Sequence, residues 1–245
     1  MASVVVLIPA RYGSSRFPGK PLALIKGKSM VERVYTNCKN SGFECAVVTD
    51  NDEIEKAVLK FGGKVLRVDD DVPSGSERIA LAYSRFMAEK KPSLVINVQG
   101  DEPMLDGEIL KELAAFHLNS DFDVTTLLRE RSSTEDDFKN PNVVKAVWST
   151  ESKQCFYFSR QSLPYDRDHR KAYSWHHHIG VYSYRPEALL RFVKLPMSRL
   201  EDLEKLEQLR AIENQMSIGA ILTSQKLIGV DVPEDIIKVE GALFE

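Results

Sequence analysis

The chain opens on an unbroken apolar run, Val4 to Ile8, stopped by Pro9. A run without polar alternation suits a strand buried on both faces of a parallel sheet better than one with a wet face. Met30, Val31, Val34 and Tyr35 then recur at helical spacing from about Ser29 to Lys39, and Cys45 to Thr49 is a second short β-branched run. This predicts a first βαβ unit, and the pattern repeats. Asp50 or Asn51 caps a helix through Phe61, the Gly62-Gly63 pair ends it, and Lys64 to Val68 makes the next strand. A helix over Ser76 to Glu89 leads to the strand Leu94 to Val98. Strands alternating with helices of about 10 to 15 residues predict an α/β fold, a mostly parallel central sheet with helices on both faces.

Past residue 120 the rhythm changes. Strand-like segments fall near Val124 to Leu128, Val143 to Trp148, Cys155 to Phe158 and Ile179 to Tyr184, with few helices between them. Residues of about 120 to 185 are therefore expected to add antiparallel strands or a dimerisation arm. Regular helix returns from about Leu200 to Asn214, where Leu200, Leu203, Leu206, Leu209 and Ile212 form one apolar stripe and Glu204 is placed to pair with nearby basic side chains. Pro233 opens a last helix at its first position, where its missing N–H costs nothing. No repeat, low-complexity segment or Pro/Gly/Ser-rich linker interrupts the 245 residues, and a single domain over 1–245 is the expectation.

Composition narrows the function. With 43% apolar and 28% charged residues the chain is built to bury a core. Its 33 basic and 36 acidic residues give a net charge of −3, so there is no global cationic field for nucleic acid or an anionic membrane. No apolar run approaches the roughly 18 residues that span a bilayer, which points to a cytoplasmic protein without membrane insertion. Cys38, Cys45 and Cys155 are odd in number and lack ligand spacing. They are expected reduced and buried rather than as a disulfide framework or zinc site.

Candidate chemistry gathers where strands end. The loop after the first strand, PARYGSSRFPGKPL, sets the cations Arg11, Arg16 and Lys20 among small residues, at the edge where open α/β sheets bind ligands. Its small residues let backbone N–H groups approach an anion, and its cations suit a polyphosphate. It is neither GxGxxG nor GxxxxGK[ST], so dinucleotide and Walker readings fail; a mobile surface loop is the plain alternative. NVQGDEP ends another apolar strand and brings Asp101 and Glu102 to the same edge. A carboxylate there suits Mg²⁺, which takes one or two protein carboxylates plus substrate phosphates, although a helix cap or turn fits the residues as well. Asp231, in GVDVPED, stands just before a helix as cap or second metal ligand.

Other segments are ambiguous alone. SGSER offers hydroxyls and Arg78 to a base or ribose, but is also a common capping arrangement. Asp69-Asp70-Asp71 reads as a solvated acidic loop before it reads as a metal motif. His176-His177-His178 lacks a third ligand. Glu207-Gln208 reads as helix surface, and Arg160, after YFS, is either exposed or a bidentate carboxylate clamp.

Together the segments resemble the 3-deoxy-manno-octulosonate (Kdo) cytidylyltransferases. IPARYGSSRFPGKPL, VVTD, FGGKV, SGSER, INVQGDEP, NPNVVK, YFSR, HIGVYSYR, LEDLEKLEQLRAIE and VDVPED follow in family order and spacing over nearly the whole chain. The resemblance implies a nucleotide-binding domain of the glycosyltransferase-A type, usually a homodimer. It also implies transfer of CMP from CTP to the anomeric hydroxyl of an eight-carbon 3-deoxy sugar acid, Kdo or its 8-amino analogue, with release of pyrophosphate, for lipopolysaccharide biosynthesis. By matching motif position, Arg11 and Lys20 hold the triphosphate and Asp101 and Asp231 hold Mg²⁺. Ser74 and Arg78 contact the cytidine, and Gln99 lies near nucleotide and sugar. Arg160, His178, Tyr182, Glu207 and Gln208 grip the sugar.

The chain departs from the family at Arg67-Val68, where Met-Thr is common, near Val72, where a His is common, and in SGSER, which replaces SGTDR. The last change keeps hydroxyl and carboxylate but moves the carboxylate by a methylene. The competing readings are a nucleotidyltransferase for another acid sugar or a sugar phosphate, and a catalytically silent nucleotide-binding subunit.

Overall fold

The computed structural model describes residues 3–13, 17–225 and 227–243, so Arg16 of the first loop lies outside the described residues. The chain forms two compact units, Met1–Ala114 with Lys226–Glu245, and Ala115–Gln225.

The first unit begins with β1 (Val4–Pro9), buried along its whole length, as its unbroken apolar run requires. A two-stranded ribbon follows, β2 (Leu24–Ile25) and β3 (Lys28–Ser29). Ser29 then caps α1 (Met30–Lys39) by accepting from Glu32 N. β4 (Glu44–Thr49) leads to α2 (Asp52–Lys60), capped by Asn51, whose side chain accepts from the backbone of Glu53 and Ile54. Gly62 at φ +78° turns the chain out of that helix. After β5 (Val65–Arg67) comes α3 (Gly75–Ala82), continued by a π turn over Tyr83–Met87 and a 3₁₀ turn over Ala88–Lys90. β6 (Leu94–Val98) is fully buried. The four longer strands lie in the order β6-β1-β4-β5, all parallel, so the expected parallel sheet with helical crossovers is what this unit carries. α4 (Gly107–Leu118), which the sequence reading did not anticipate, spans the boundary.

The second unit is mostly antiparallel, as its change of rhythm suggested. β7 (Val124–Ser132) pairs antiparallel with β10 (Ser174–Tyr184), which pairs antiparallel with β8 (Lys145–Trp148), and β8 with β9 (Cys155–Ser159). α5 (Pro186–Phe192) was not foreseen, nor was β11 (Ile218–Leu222), which adds in parallel to β7.

One expectation is corrected here. The continuous helix over Leu200–Asn214 is two short helices, α6 (Arg199–Glu204) and α7 (Gln208–Glu213), broken at Lys205, which takes φ +50°. Tertiary bonds decide the break. The Glu204 carboxylate accepts from Ser159 Oγ at 2.6 Å and from Arg160 N at 2.9 Å, so it ties down the end of β9 instead of pairing with a surface cation. Glu201 and Arg210 close the two helices with an ion pair buried to 8% and 7% exposure. The stripe is therefore interrupted, with Leu203 exposed and Leu206 and Leu209 buried.

The chain returns to the first unit with α8 (Glu234–Ala242), whose N-cap is Pro233. Cys38, Cys45 and Cys155 are free and buried. Among the described residues no helix is long and apolar enough to cross a membrane.

Candidate functional site

In the first unit, three chain segments crowd around Pro9 at the carboxyl end of β1. A Cβ on Gly100, just past β6, would lie 3.0 Å from the Pro9 carbonyl oxygen, and one on Gly75, at the start of α3, 3.2 Å from Pro9 Cγ. A Cβ at either position would sit closer than ordinary van der Waals contact, so these glycines ease the approach of the strand ends and the helix N-terminus. Gln99 stands between them, its Oε1 3.9 Å from the Cβ position of Gly75. Exposed Arg11 donates from Nη1 to the carbonyl of Pro73 at 3.3 Å, which joins the first loop to SGSER. Ser74 caps α3, accepting from Ser76 N and Glu77 N.

Arg78 turns inward. Its guanidinium is 2% exposed, pairs with Asp50 at 2.7 Å and donates to the Val68 carbonyl at 2.5 Å. Arg78 thereby braces α3 to the ends of β4 and β5. Asp69 and Asp70 of the acidic run are paired with Arg67 and Arg85.

The remaining charged residues of this unit converge after β6. Gly19, at φ +70°, lets the first loop turn into Lys20, whose Nζ donates to Asp101 Oδ2 at 2.7 Å and to the Val230 carbonyl at 2.9 Å. Val230 N in turn donates to the Asp101 carbonyl at 3.0 Å. Asp231 is thus carried beside QGDEP by backbone pairing. It is not the cap of α8: Asp235 Oδ2 reaches back to accept from the backbone N–H groups of Asp231 and Val232. Glu102 completes the group. Burial, then the charges of Asp101 and Asp231, push its pKa up to about 8, against the opposing pull of Lys20.

These residues fit a hard divalent cation. Among the described residues Glu102 Oε2 is buried without a hydrogen-bond partner, and the nearby charges of Asp101 and Asp231 help to hold its proton on, so a cation there would favour the ionised carboxylate. Among the described residues no three His, Cys, Asp or Glu side chains form a complete metal cage. Mg²⁺ is held by one or two carboxylates plus phosphate oxygens rather than by an all-protein shell.

In the second unit a bulge builds the other cluster. Opposite β7, His178 faces Leu128 and Ile179 faces Leu127, but Tyr182 faces Thr126, so Gly180 and Val181 are extra on β10. Residues four apart in a regular strand are separated by about 13 Å. Here the His178 and Tyr182 rings are 5.4 Å apart, and Phe158 packs edge-on to His178 at 4.8 Å. Burial, reinforced by His177, drives the pKa of His178 down to about 3, which leaves it neutral. Burial raises that of Tyr182, with Tyr184 and Glu207 adding to it. Gln208, buried, is the first residue of α7.

Arg160 follows β9 and is tied on several sides. Its Nε donates to the Glu204 carbonyl at 2.6 Å, Nη1 to Pro141 at 2.9 Å and Nη2 to Lys205 at 3.4 Å. Three of the five guanidinium N–H groups are thereby engaged. One remains on each terminal nitrogen, enough to meet a carboxylate at two points.

A family profile described as Cytidylyltransferase matches residues 5–218. The chain belongs to the cytidylyltransferase family. It is 43% identical over 98% of its length, and 97% of the relative's, to the 3-deoxy-manno-octulosonate cytidylyltransferase of Thermodesulfovibrio yellowstonii. It is 42% identical, over 98% of both chains, to the 8-amino-3,8-dideoxy-manno-octulosonate cytidylyltransferase of Shewanella pealeana. The structure of CMP:2-keto-3-deoxy-manno-octonic acid synthetase complexed with CTP superposes with a TM-score of 0.91 at 35% identity, covering 99% of each chain. A 4-diphosphocytidyl-2C-methyl-D-erythritol synthase of Anaerococcus prevotii shares the fold at a TM-score of 0.64 and 12% identity.

Sequence reasoning missed two residues of this cytidylyltransferase that shape its clusters. Lys145 is fully buried and holds the carbonyls of Asn140 at 2.7 Å and Arg160 at 3.0 Å. The signal was a lysine inside an apolar strand, VVKAVW, with no sequence-local partner. Thr126, also fully buried, bonds His178 at 3.0 Å. Only the glycine inside HIGVY, a mark of strand irregularity, hinted at the bulge that it fills.

Proposed function

We propose that this cytidylyltransferase moves CMP from CTP to the anomeric hydroxyl of 3-deoxy-manno-octulosonate, or of its 8-amino analogue, releasing pyrophosphate and supplying the activated sugar for lipopolysaccharide. The observation that carries the reading is the convergence of Lys20, Asp101, Glu102 and Asp231 after β6, an oxygen-rich group in a chain whose relatives at 42–43% identity bear these names.

The sugar oxygen attacks the α-phosphorus in line, its proton passes to solvent water, and the bond to the β-phosphate breaks to release pyrophosphate. Such a displacement needs alignment and charge neutralisation more than a covalent nucleophile. Arg11 and Lys20 bind the triphosphate, with Lys20 exchanging its contact to Asp101 for phosphate oxygens. Asp101 and Asp231 would hold Mg²⁺, which would supply Lewis-acid stabilisation of the charge that develops in the displacement. Ser74 and Gln99 meet the nucleotide, while Arg78 holds their loop from behind. On the acceptor, Arg160 takes the carboxylate, and His178, Tyr182, Glu207 and Gln208 take hydroxyls.

The chain works in the cytoplasm as a homodimer through part of residues 120–185. Phe156 on β9, at 51% exposure, and Tyr165, at 76%, support this assignment, and light scattering in solution tests it.

Pyrophosphate release with CTP and each sugar, alone and in competition, tests the main reading. Turnover with one or both is expected, and the competition ratio assigns the C8 substituent. CTP-dependent turnover of another acid sugar or sugar phosphate with neither Kdo form active would replace it, and no turnover at all would leave a silent nucleotide-binding subunit.

A further inference from the structure

The bulge in β10 leaves Gly180 and Val181 outside the pairing register with β7. One side chain from β7 reaches the carbonyls of Ile179 and Val181. Thr126 Oγ1 lies 2.8 Å from the Val181 oxygen, 3.2 Å from the Ile179 oxygen and 3.0 Å from His178 Nε2. A threonine hydroxyl has one proton and two lone pairs. Both carbonyl oxygens only accept, so the single proton must point at them. The contact with His178 then has one possible direction, with Nε2–H as donor and Thr126 Oγ1 as acceptor. The opposite arrangement would set the threonine oxygen against two carbonyl oxygens with no hydrogen between them.

The ring is neutral, because its burial opposes a charge. A neutral imidazole carrying its proton on Nε2 has a bare lone pair on Nδ1. Among the described residues no protein group bonds that nitrogen, and His178 retains 7% of its surface. A lone-pair nitrogen accepts from a hydroxyl and repels the oxygens of a carboxylate or phosphate. We infer that Thr126 is a positioning residue that locks His178 in the Nε2–H tautomer, so that Nδ1 accepts a hydrogen bond from a hydroxyl of the acceptor sugar. The inference rests on the proposed role of His178 at the acceptor.

This arrangement gives the acceptor a polarity. The sugar acid carries one anionic group and several hydroxyls. A neutral acceptor nitrogen at His178 takes a hydroxyl and turns the carboxylate away, leaving it to a guanidinium such as Arg160. An imidazolium, or the other tautomer, would present N–H at Nδ1 and attract the carboxylate instead.

The test uses the full chain labelled with ¹⁵N-histidine and free of ligand, together with steady-state kinetics. Two-bond ¹⁵N–¹H correlation spectra should show His178 as Nε2–H in the wild type and in Thr126→Ser, and should lose that single tautomer in Thr126→Val. Thr126→Val should raise the acceptor KM about tenfold, the weight of one net hydrogen bond. Its CTP KM should stay within about twofold, and Thr126→Ser should restore the acceptor KM. An Nδ1–H tautomer in the wild type would overturn the inference, even if Thr126→Val failed to fold. So would an unchanged tautomer, or an unchanged acceptor KM, in folded Thr126→Val. Absence of turnover with either sugar in the wild type would instead overturn the proposed function, while the spectra of the free chain still judge the tautomer.

Discussion

The two units carry candidate residues of different chemistry. The first is a parallel sheet with no histidine in its sequence, and its candidate residues are full charges at strand ends: Arg11, Lys20, Asp101, Glu102 and Asp231. The second contains all five histidines of the chain, and its candidate cluster is built from buried, directional contacts, Thr126 with His178 and Lys145 with two carbonyls. Charges at a partly open edge suit a triphosphate, where the task is neutralisation. Neutral donors and acceptors fixed inside a sheet suit a polyhydroxy acid, where the task is to tell one oxygen from another. The predictions below test whether that division is real.

The largest effect is expected in the first unit. Asp101→Asn should lower Mg²⁺-dependent turnover about a thousandfold, the scale of losing one preorganised electrostatic group, with the circular dichroism spectrum unchanged. Full activity would mean that the metal rests on another carboxylate, Glu102 being the nearest candidate.

Arg160→Ala, in the second unit, should raise the acceptor KM about thirtyfold, as losing a charge-assisted hydrogen-bonding group does, and the CTP KM no more than about twofold. Equal effects on the two KM values would move Arg160 to the nucleotide side. Because Arg160 also donates to three carbonyls, the same variant should melt earlier than wild type. Lys145→Met would separate the roles, removing the buried cation that holds the Arg160 carbonyl while keeping the guanidinium itself.

These expectations depend unevenly on what the sequence could tell. Periodicity placed β1, α1, β4, α2 and β6 nearly residue for residue, because each is buried by contacts whose spacing the chain writes locally. The convergence of Lys20 with Asp101 was legible too, since both sit just past apolar strands and parallel strands end at one edge. Periodicity failed at Leu200–Asn214, where the leucine stripe is continuous but Glu204 is drawn to β9 and Lys205 breaks the helix. A bond to a residue more than 40 positions away leaves no trace in a helical window. The brace made by Arg78 was illegible for the same reason: only the fold shows Asp50 and Val68 closing on its guanidinium. Thr126 was invisible because nothing in VTTLL marks which threonine meets a bulge on another strand.

Titration should act on the two units in opposite senses. Burial lowers the pKa of His117 and His177 to about 4 and of His178 to about 3, from 6.5. Their neutral forms are the folded forms, so stability is fully present above pH 6.5 and is lost as pH falls toward 4, because the unfolded chain takes up protons first. Each should remove about 1 to 2 kcal/mol by pH 5, at roughly 1.4 kcal/mol per pH unit below 6.5. Glu102 runs the other way: with its pKa raised from 4.5 to about 8, it favours the folded first unit at low pH and disfavours it as pH climbs through that window in the absence of a cation. Amide exchange at pH 5 against pH 7.5, corrected for intrinsic rates, should show β7 and β10 losing protection while β1 and β6 keep theirs. Equal loss in both would mean that the two units unfold as one.

The smallest effect makes the finest distinction. Each unit has a serine capping a helix: Ser74 accepts from Ser76 N and Glu77 N at α3, and Ser198 forms a capping box with Glu201 at α6. Replacing either by alanine should cost about 1 kcal/mol of stability, the ordinary worth of a cap, so thermal melts should not tell the two variants apart. Kinetics should. Ser74 stands in the segment joined to Arg11 through Pro73, and Ser74→Ala should raise the CTP KM by a few-fold, about one net hydrogen bond, with the acceptor KM unchanged. Ser198→Ala should leave the CTP KM alone, since its helix belongs to the unit assigned to the acceptor. If both variants shift the CTP KM alike, the change reports general loosening, and the nucleotide role of Ser74 falls to its capping bond alone.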